Sequence, residues 1–281
     1  MAATTQNTRN TTVVVTGASG RTGRRVAEAA PAAGLTVRAA SRAQGFDWTE
    51  RSTWADTLRG ADAAYLVCPT DVGSPEAARH VGLFAHEAVG LGVRRLVLLS
   101  ARGEERARPT EEALRESGAD WTVVRAAWFA QNFSEGPLVE GLRQSGELVF
   151  PGGAVREPFV DVRDVAEVVV AALTAGERYV GQALAVSGPR LLTFGEAVAE
   201  VARAAGRELS YRAVPAREYG ARLAGFGVPP EEVEFLVELF ESLLDGRNSY
   251  LSDGVQRVLG REPRDFADFA GEAAAAGTWK V

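Results

Sequence analysis

Gly17-Ala18-Ser19-Gly20-Arg21-Thr22-Gly23 is the stretch of this sequence best suited to holding a ligand. Glycines let main-chain N–H groups approach a pyrophosphate closely, and a helix that starts there adds its positive end. The turn follows a β-branched run, Thr11-Thr12-Val13-Val14-Val15-Thr16, and precedes Arg24-Arg25-Val26-Ala27-Glu28-Ala29-Ala30. Strand, glycine-rich turn and helix in that order predict a dinucleotide-binding unit. Gly17, Ser19, Gly20, Arg21, Thr22 and Gly23 are its expected contact residues.

Acid–base candidates are sparse. A Tyr-x-x-x-Lys pair would let lysine lower a tyrosine pKa so that it could protonate an alkoxide. None of the five tyrosines has lysine four positions on, and Lys280 is the only lysine. No side chain is therefore assigned as proton donor. Cys68 is the single cysteine, which rules out an intrachain disulfide and a multi-cysteine metal site. After an apolar strand it reads as a buried, inert thiol. His80 and His86 are six apart and do not share a helix face as i,i+4 ligands would, so no metal site is expected. Asp164 reads as a carboxylate at a helix N-terminus. Trp128, Phe129 and Phe133, with Asn132, are the candidate walls of a pocket for a flat, apolar substrate, core packing being the alternative for each aromatic.

The elements that place these residues alternate regularly. Strands are predicted at Leu35–Ser41, Ala63–Cys68, Arg95–Ser100 and Trp121–Arg125. Helices are predicted between them at Arg51–Arg59, Ser74–Leu91 and Pro109–Ser117. This rhythm means an α/β fold, a doubly wound parallel sheet of the Rossmann kind, with ligands outside the carboxyl ends of the strands. Those ends supply Ser41 and Arg42, then Cys68, Pro69 and Thr70, then Ser100 and Ala126. An NAD-selective site usually carries a carboxylate at the end of the second strand. Here a hydroxyl and a guanidinium stand there, which suits a 2′-phosphate and predicts NADP(H) over NAD(H).

Beyond Ala127 the alternation breaks. An insertion is expected at about 131–155, a strand at Glu157–Val162, a helix at Arg163–Thr174, and a resumed sheet at Ala183–Val186. Residues 11–188 are read as the dinucleotide-binding domain and 189–281 as a smaller, mainly helical substrate lobe. With 281 residues, 46% hydrophobic and 24% charged, the chain has an ordinary globular composition. A net charge of −6 argues against a nucleic-acid surface. No apolar run approaches the roughly 20 residues that span a bilayer. Met1–Asn10 is polar, lacks the core of a secretory signal, and reads as a frayed tail, so a cytoplasmic protein is expected. A homo-oligomer stays open.

In Gly17–Gly23, "GVRRLVLLSARG" (92–103), "ESGADWTVVRAAWFAQNF" (116–133), "PFVDVRDVAEV" (158–168), "SGPRLLTFGEAV" (187–198) and "GREPRDFADFA", the chain resembles the NmrA-like group of atypical short-chain dehydrogenases. That group includes type-2 quinone reductases and clavine-alkaloid reductases, beside non-catalytic redox sensors. The resemblance implies that Asp47 lies near the adenine with Trp48 as a stacking wall, burial of Trp48 being the alternative. It also implies that Arg108 stands where related reductases carry lysine or histidine; arginine stays charged and is a poor proton donor. The leading expectation is an NADPH-dependent reductase passing hydride to a quinone, enone or iminium, which need no strong acid. A nucleotide sensor acting through a protein partner is the alternative, and a cofactor-retaining isomerase or cyclase the minor one.

Overall fold

The computed structural model describes residues 11–136 and 138–280. The polar segment Met1–Asn10 and Pro137, within the expected insertion, lie outside the described residues. The first half of the chain alternates as predicted: β1 (Thr12–Thr16), α1 (Arg21–Ala29), β2 (Thr36–Ala40), α2 (Trp54–Leu58), β3 (Ala63–Leu66), α3 (Pro75–Gly90), β4 (Arg95–Ala101), α4 (Arg108–Arg115) and β5 (Asp120–Ala126). There follow α5 (Asn132–Glu135), α6 (Val139–Gln144), β6 (Glu147–Phe150), β7 (Arg156–Glu157), α7 (Val162–Thr174) and β8 (Gln182–Val186). The remainder is β9 (Leu192–Thr193), α8 (Phe194–Ala205), β10 (Ser210–Ala213), α9 (Ala216–Gly225), α10 (Pro230–Leu243), α11 (Gly254–Leu259) and α12 (Phe266–Ala275).

Among the described residues the main sheet has six strands in the order β2-β1-β3-β4-β5-β8. β1 pairs in parallel with both β2 and β3, in register Val14 to Arg38 and Val14 to Ala64. The chain steps outward from β1 to β2 and then returns to the other side of β1. This reversal opens a crevice at the carboxyl ends of β1 and β3, the usual ligand position in such sheets. β8 rejoins the sheet beside β5, as Ala183–Val186 predicted.

The chain divides into two compact units. Among the described residues the first comprises 11–99, 106–123 and 166–183; the second comprises 100–105, 124–136, 138–165 and 184–280. The two units interleave along the chain: β4, β5 and β8 begin in the first unit and end in the second. The core of the first unit is the sheet's Val14, Leu66 and Leu96, with an aromatic group of Phe46, Trp48, Trp54 and Phe84. Rings there meet mostly edge to face, Phe46 and Trp48 with centroids 5.5 Å apart. β3 is buried at every position, which explains why its sequence is an unbroken apolar run.

The second unit is richer in strands than its sequence suggested. β6 pairs in parallel with β10, and β7 is antiparallel to β9. α8 starts with a reciprocal cap: Thr193 Oγ1 accepts from the Glu196 N–H, and Glu196 accepts from the Thr193 N–H. Phe133, Phe150, Phe159, Phe194 and Phe266 form its core. The strand expected over Glu157–Val162 shortens to Arg156–Glu157 plus a single bridge between Phe129 and Val160. Pro158 has no N–H for a ladder, and its carbonyl is taken by the Gly188 N–H at 3.0 Å.

Candidate functional site

The glycine-rich turn joins β1 to α1. Gly17 has φ +59°, and a Cβ there would lie 2.7 Å from Val67 Cγ1. A Cβ on Gly23 would lie 2.1 Å from the Gly17 carbonyl oxygen, so the first turn of α1 sits against the loop at a distance only glycine permits. Gly20 donates its N–H to that same carbonyl at 2.8 Å and caps α1. Ser19 and Gly20 are exposed, whereas Thr22 is 4% exposed. The Thr22 hydroxyl accepts from Tyr65 Oη at 3.0 Å. Burial pushes the Tyr65 phenol well above its ordinary range, so it is a strut and not an acid. Thr16 Oγ1 donates to the Tyr65 carbonyl at 3.0 Å and accepts from the Val67 N–H at 2.9 Å, clamping the ends of β1 and β3 together.

Around the end of β2, Ser41 Oγ meets Gln44 Oε1, and Arg42 is exposed. Arg38 is spent elsewhere: its guanidinium donates to the carbonyls of Thr57 and Arg59, both at 2.8 Å. Asp47 Oδ1 accepts from the Thr49 N–H and Thr49 Oγ1, each at 2.8 Å, and these bonds hold its carboxyl below the usual range. Trp48 differs from the stacking wall that resemblance implied. It is 5% exposed in the aromatic core, and its Nε1 donates to the Val67 carbonyl at 3.1 Å. At the end of β3, Cys68 is half-buried while Pro69 and Thr70 are exposed. Burial pushes the Cys68 thiol up to about 12. His80 is held down first by burial and then by Arg79, whose Nη2 lies 2.7 Å from its Nε2. An open groove of about 680 Å³ in this unit lies at the amino ends of β4 and β5, beside Arg95 and Asp120, the end of the sheet opposite the glycine turn.

The carboxyl ends of β4 and β5 belong to the second unit. Ser100 is 3% and Ala126 6% exposed. Two residues past Ser100, Arg102 donates its N–H to the Ala126 carbonyl at 2.9 Å. Its guanidinium is buried, donating to the carbonyls of Asn248 at 2.7 Å and Tyr250 at 2.9 Å and lying 4.3 Å over the Tyr250 ring. Gly103 has φ +76°, and a Cβ there would lie 2.2 Å from Asn248 Oδ1. Glu157 is fully buried, and its charge couples to that of Arg102. Burial pushes its carboxyl up to about 7, against the pull of Arg102. Sequence reasoning missed Arg102, Glu157 and Asn248. The one local signal is a glutamate at the head of the apolar run Pro158-Phe159-Val160.

The aromatic candidates split. Trp128 and Phe129 are half-buried. Trp128 stands edge-on to Phe150 and Phe194, with centroids 5.7 and 5.6 Å away. Phe133 is fully buried among Phe159, Phe194 and Phe266, so it is core and not pocket wall. Asn132 is half-buried at the start of α5. Asp161 accepts from Gln131 Nε2 at 3.0 Å and from the Arg163 guanidinium at 2.6 Å. Burial alone would raise its carboxyl, but the Arg163 bonds hold it below the usual range. Asp164, in the first turn of α7, is fully buried and paired with Arg261 at 2.7 Å and with Arg264. Arg108 opens α4 and is exposed.

A parallel sheet that reverses its order beside β1, with a glycine cradle at that crevice, defines a dinucleotide-binding α/β protein. Residues 17–176 match a family model described as NAD(P)H-binding, and residues 109–269 match the NmrA-like family. The chain belongs to the NmrA-like family. Among similar proteins, a (4-alkanoyl-5-oxo-2,5-dihydrofuran-3-yl)methyl phosphate reductase from Streptomyces griseus is 35% identical, over 94% of this chain and 98% of that protein. An NAD(P)H azoreductase from Xenophilus azovorans is 30% identical, over 89% of this chain and 88% of that protein. A triphenylmethane reductase from Citrobacter, solved with NADP(H), shares the fold with a TM-score of 0.75 at 19% identity, covering 94% of this chain and 99% of that one. The chain is an oxidoreductase with an NAD(P)H-binding module. Among the described residues no helix is long and apolar enough to cross a membrane.

Proposed function

We propose that the protein is an NADPH-dependent reductase of small planar or hydrophobic acceptors: quinones, enones, iminium ions and, on the pattern of its azoreductase relative, azo compounds. The observation that carries this reading is the cradle itself. A Cβ on Gly17 or Gly23 would strike Val67 or the Gly17 carbonyl, so glycine is kept where a close main-chain approach is needed. In this reading the amides of 17–23 take the pyrophosphate, and Cys68-Pro69-Thr70 runs past the ribose by its backbone. Ser41 and exposed Arg42 take the 2′-phosphate. Ser100 and Ala126 face the nicotinamide half, and Trp128, Phe129 and Asn132 touch the acceptor. When bound, the cofactor supplies the hydride. The Streptomyces relative, named for an unsaturated lactone phosphate, supports the enone class.

Fluorescence titration with NADPH and NADH tests the reading. Micromolar NADPH binding is expected. Arg42→Ala should weaken it about tenfold, the scale of one charge-assisted contact, while leaving NADH unchanged. Consumption of NADPH with a panel of quinones, enones, imines and azo dyes should follow. If neither nucleotide binds in the micromolar range, the proposal falls. Tight binding with no turnover on any acceptor moves the protein to the sensor class.

A further inference from the structure

The cluster beyond the ends of β4 and β5 contains four buried polar atoms without a hydrogen-bond partner among the described residues: Arg102 Nε, Glu157 Oε1, Glu157 Oε2 and Asn248 Oδ1. They come from three separate stretches of chain, all in the second unit. Buried polar atoms are normally satisfied, and a convergent unsatisfied set is a mark of a working site. The set is also well placed. Arg102 is bonded through its N–H to Ala126, at the strand end where ligands of such sheets sit.

We propose that Glu157 is the acid of the reduction and Arg102 its charge partner. This rests on the reductase reading above. The acceptor presents an oxygen or nitrogen to the Arg102 Nε–H, where negative charge develops as the π bond opens. A bound NADPH would supply the two electrons as hydride and be oxidised to NADP⁺. The Glu157 O–H bond breaks and its proton bonds to the acceptor heteroatom. Glu157 is left as a carboxylate facing Arg102 and recovers a proton from water. A carboxyl that titrates near neutrality is matched to this task, and it fills the role for which the chain has no Tyr–Lys pair. The other charge acting on it is Asp245, paired to Arg247 at 2.7 Å. Asn248 is 2% exposed, so an acceptor enters by parting the 246–251 segment from Arg102; Tyr250 and Leu251 in that segment are already half exposed.

The test uses the full chain with NADPH and two acceptors. One is 4-(dimethylamino)azobenzene, whose reduction needs a proton at nitrogen; the other is 1,4-naphthoquinone, whose reduced anion water can protonate. Glu157→Gln keeps the shape and Glu157→Met the volume. Wild-type azo turnover should fall about tenfold per pH unit above roughly pH 7, and Glu157→Gln should lower azo kcat at least ~10²-fold and flatten that profile. Quinone turnover should fall less than about tenfold, with NADPH affinity unchanged. A readout independent of turnover is the infrared C=O stretch of a protonated carboxyl. It should be present at about pH 6, vanish by about pH 8, be missing from both variants, and shift when naphthoquinone binds the NADP⁺-loaded protein. Unchanged azo kcat and pH profile in Glu157→Gln and Glu157→Met overturn the proposal, as does a band that naphthoquinone leaves unshifted. Failure of the wild type to bind NADPH overturns the reductase reading instead, and is read separately by the titration.

Discussion

Glu157 carries a consequence for stability as well as for chemistry. Its carboxyl titrates near 7 in the folded chain and at an ordinary 4.5 when unfolded, because burial disfavours the charged form. A raised acid binds its proton more tightly when folded. The folded state is therefore favoured most below the unfolded value, and stability falls as pH rises from there through the folded value. The full difference is on the order of 3 kcal/mol. Glu157→Gln should thus raise the melting temperature at about pH 8 and converge on wild type near about pH 4.5, measured by thermal denaturation across that range. Equal shifts at both ends would show that the side chain is not buried as described. At this scale the sequence marks the positions where the fold leaves no room for a side chain, as at Gly17 and Gly23. It gives no such mark for Arg102 and Glu157, because one glutamate among many acids does not reveal that the chain will bury it.

Among the elements, the β1–turn–α1 unit is the one whose geometry the cofactor reading depends on. Gly23→Ala places a methyl 2.1 Å from the Gly17 carbonyl, a backbone atom that cannot swing aside. The loop must deform, and NADPH affinity should drop by at least ~10-fold in the same fluorescence titration. Gly34→Ala is the control. It has φ +78° but nothing within 4 Å of the added Cβ. It should lower stability by about 1 kcal/mol without touching binding. Elements of the first half were legible because β-branched runs, caps and glycine stops coincide: Ser74 Oγ, for example, accepts from the Ala77 N–H at 3.1 Å just before Pro75. Side-chain facing was less legible. For Trp48 and Phe133 the sequence leaves ligand wall and core packing both open; each is packed against several other rings, since an aromatic beside a turn finds more contact area inward than outward.

For the molecule as a whole, the second unit depends on a few buried ion pairs that close its carboxyl-terminal segment onto α7. Asp164 has no exposed surface and takes Arg261, Arg264 and the Arg264 N–H, the last at 2.7 Å. Asp164→Ala removes those bonds and, with both arginine side chains part exposed, should cost about 1–3 kcal/mol. Hydrogen exchange should then show α8 and α12 losing protection while β1 to β3 in the first unit keep theirs; uniform loss would mean that the two units unfold as one. The alternation of strands and helices, the carboxyl edge at which a nucleotide belongs and the glycine turn all follow from local rules, since propensity, capping and period act over a few residues. The interleaved division into units, the meeting of Arg102, Glu157 and Asn248, and the burial of Trp48 and Phe133 depend on contacts between residues up to about 150 positions apart. Local patterns carry no record of such pairings; they arise only when the sheet closes and its ends are packed.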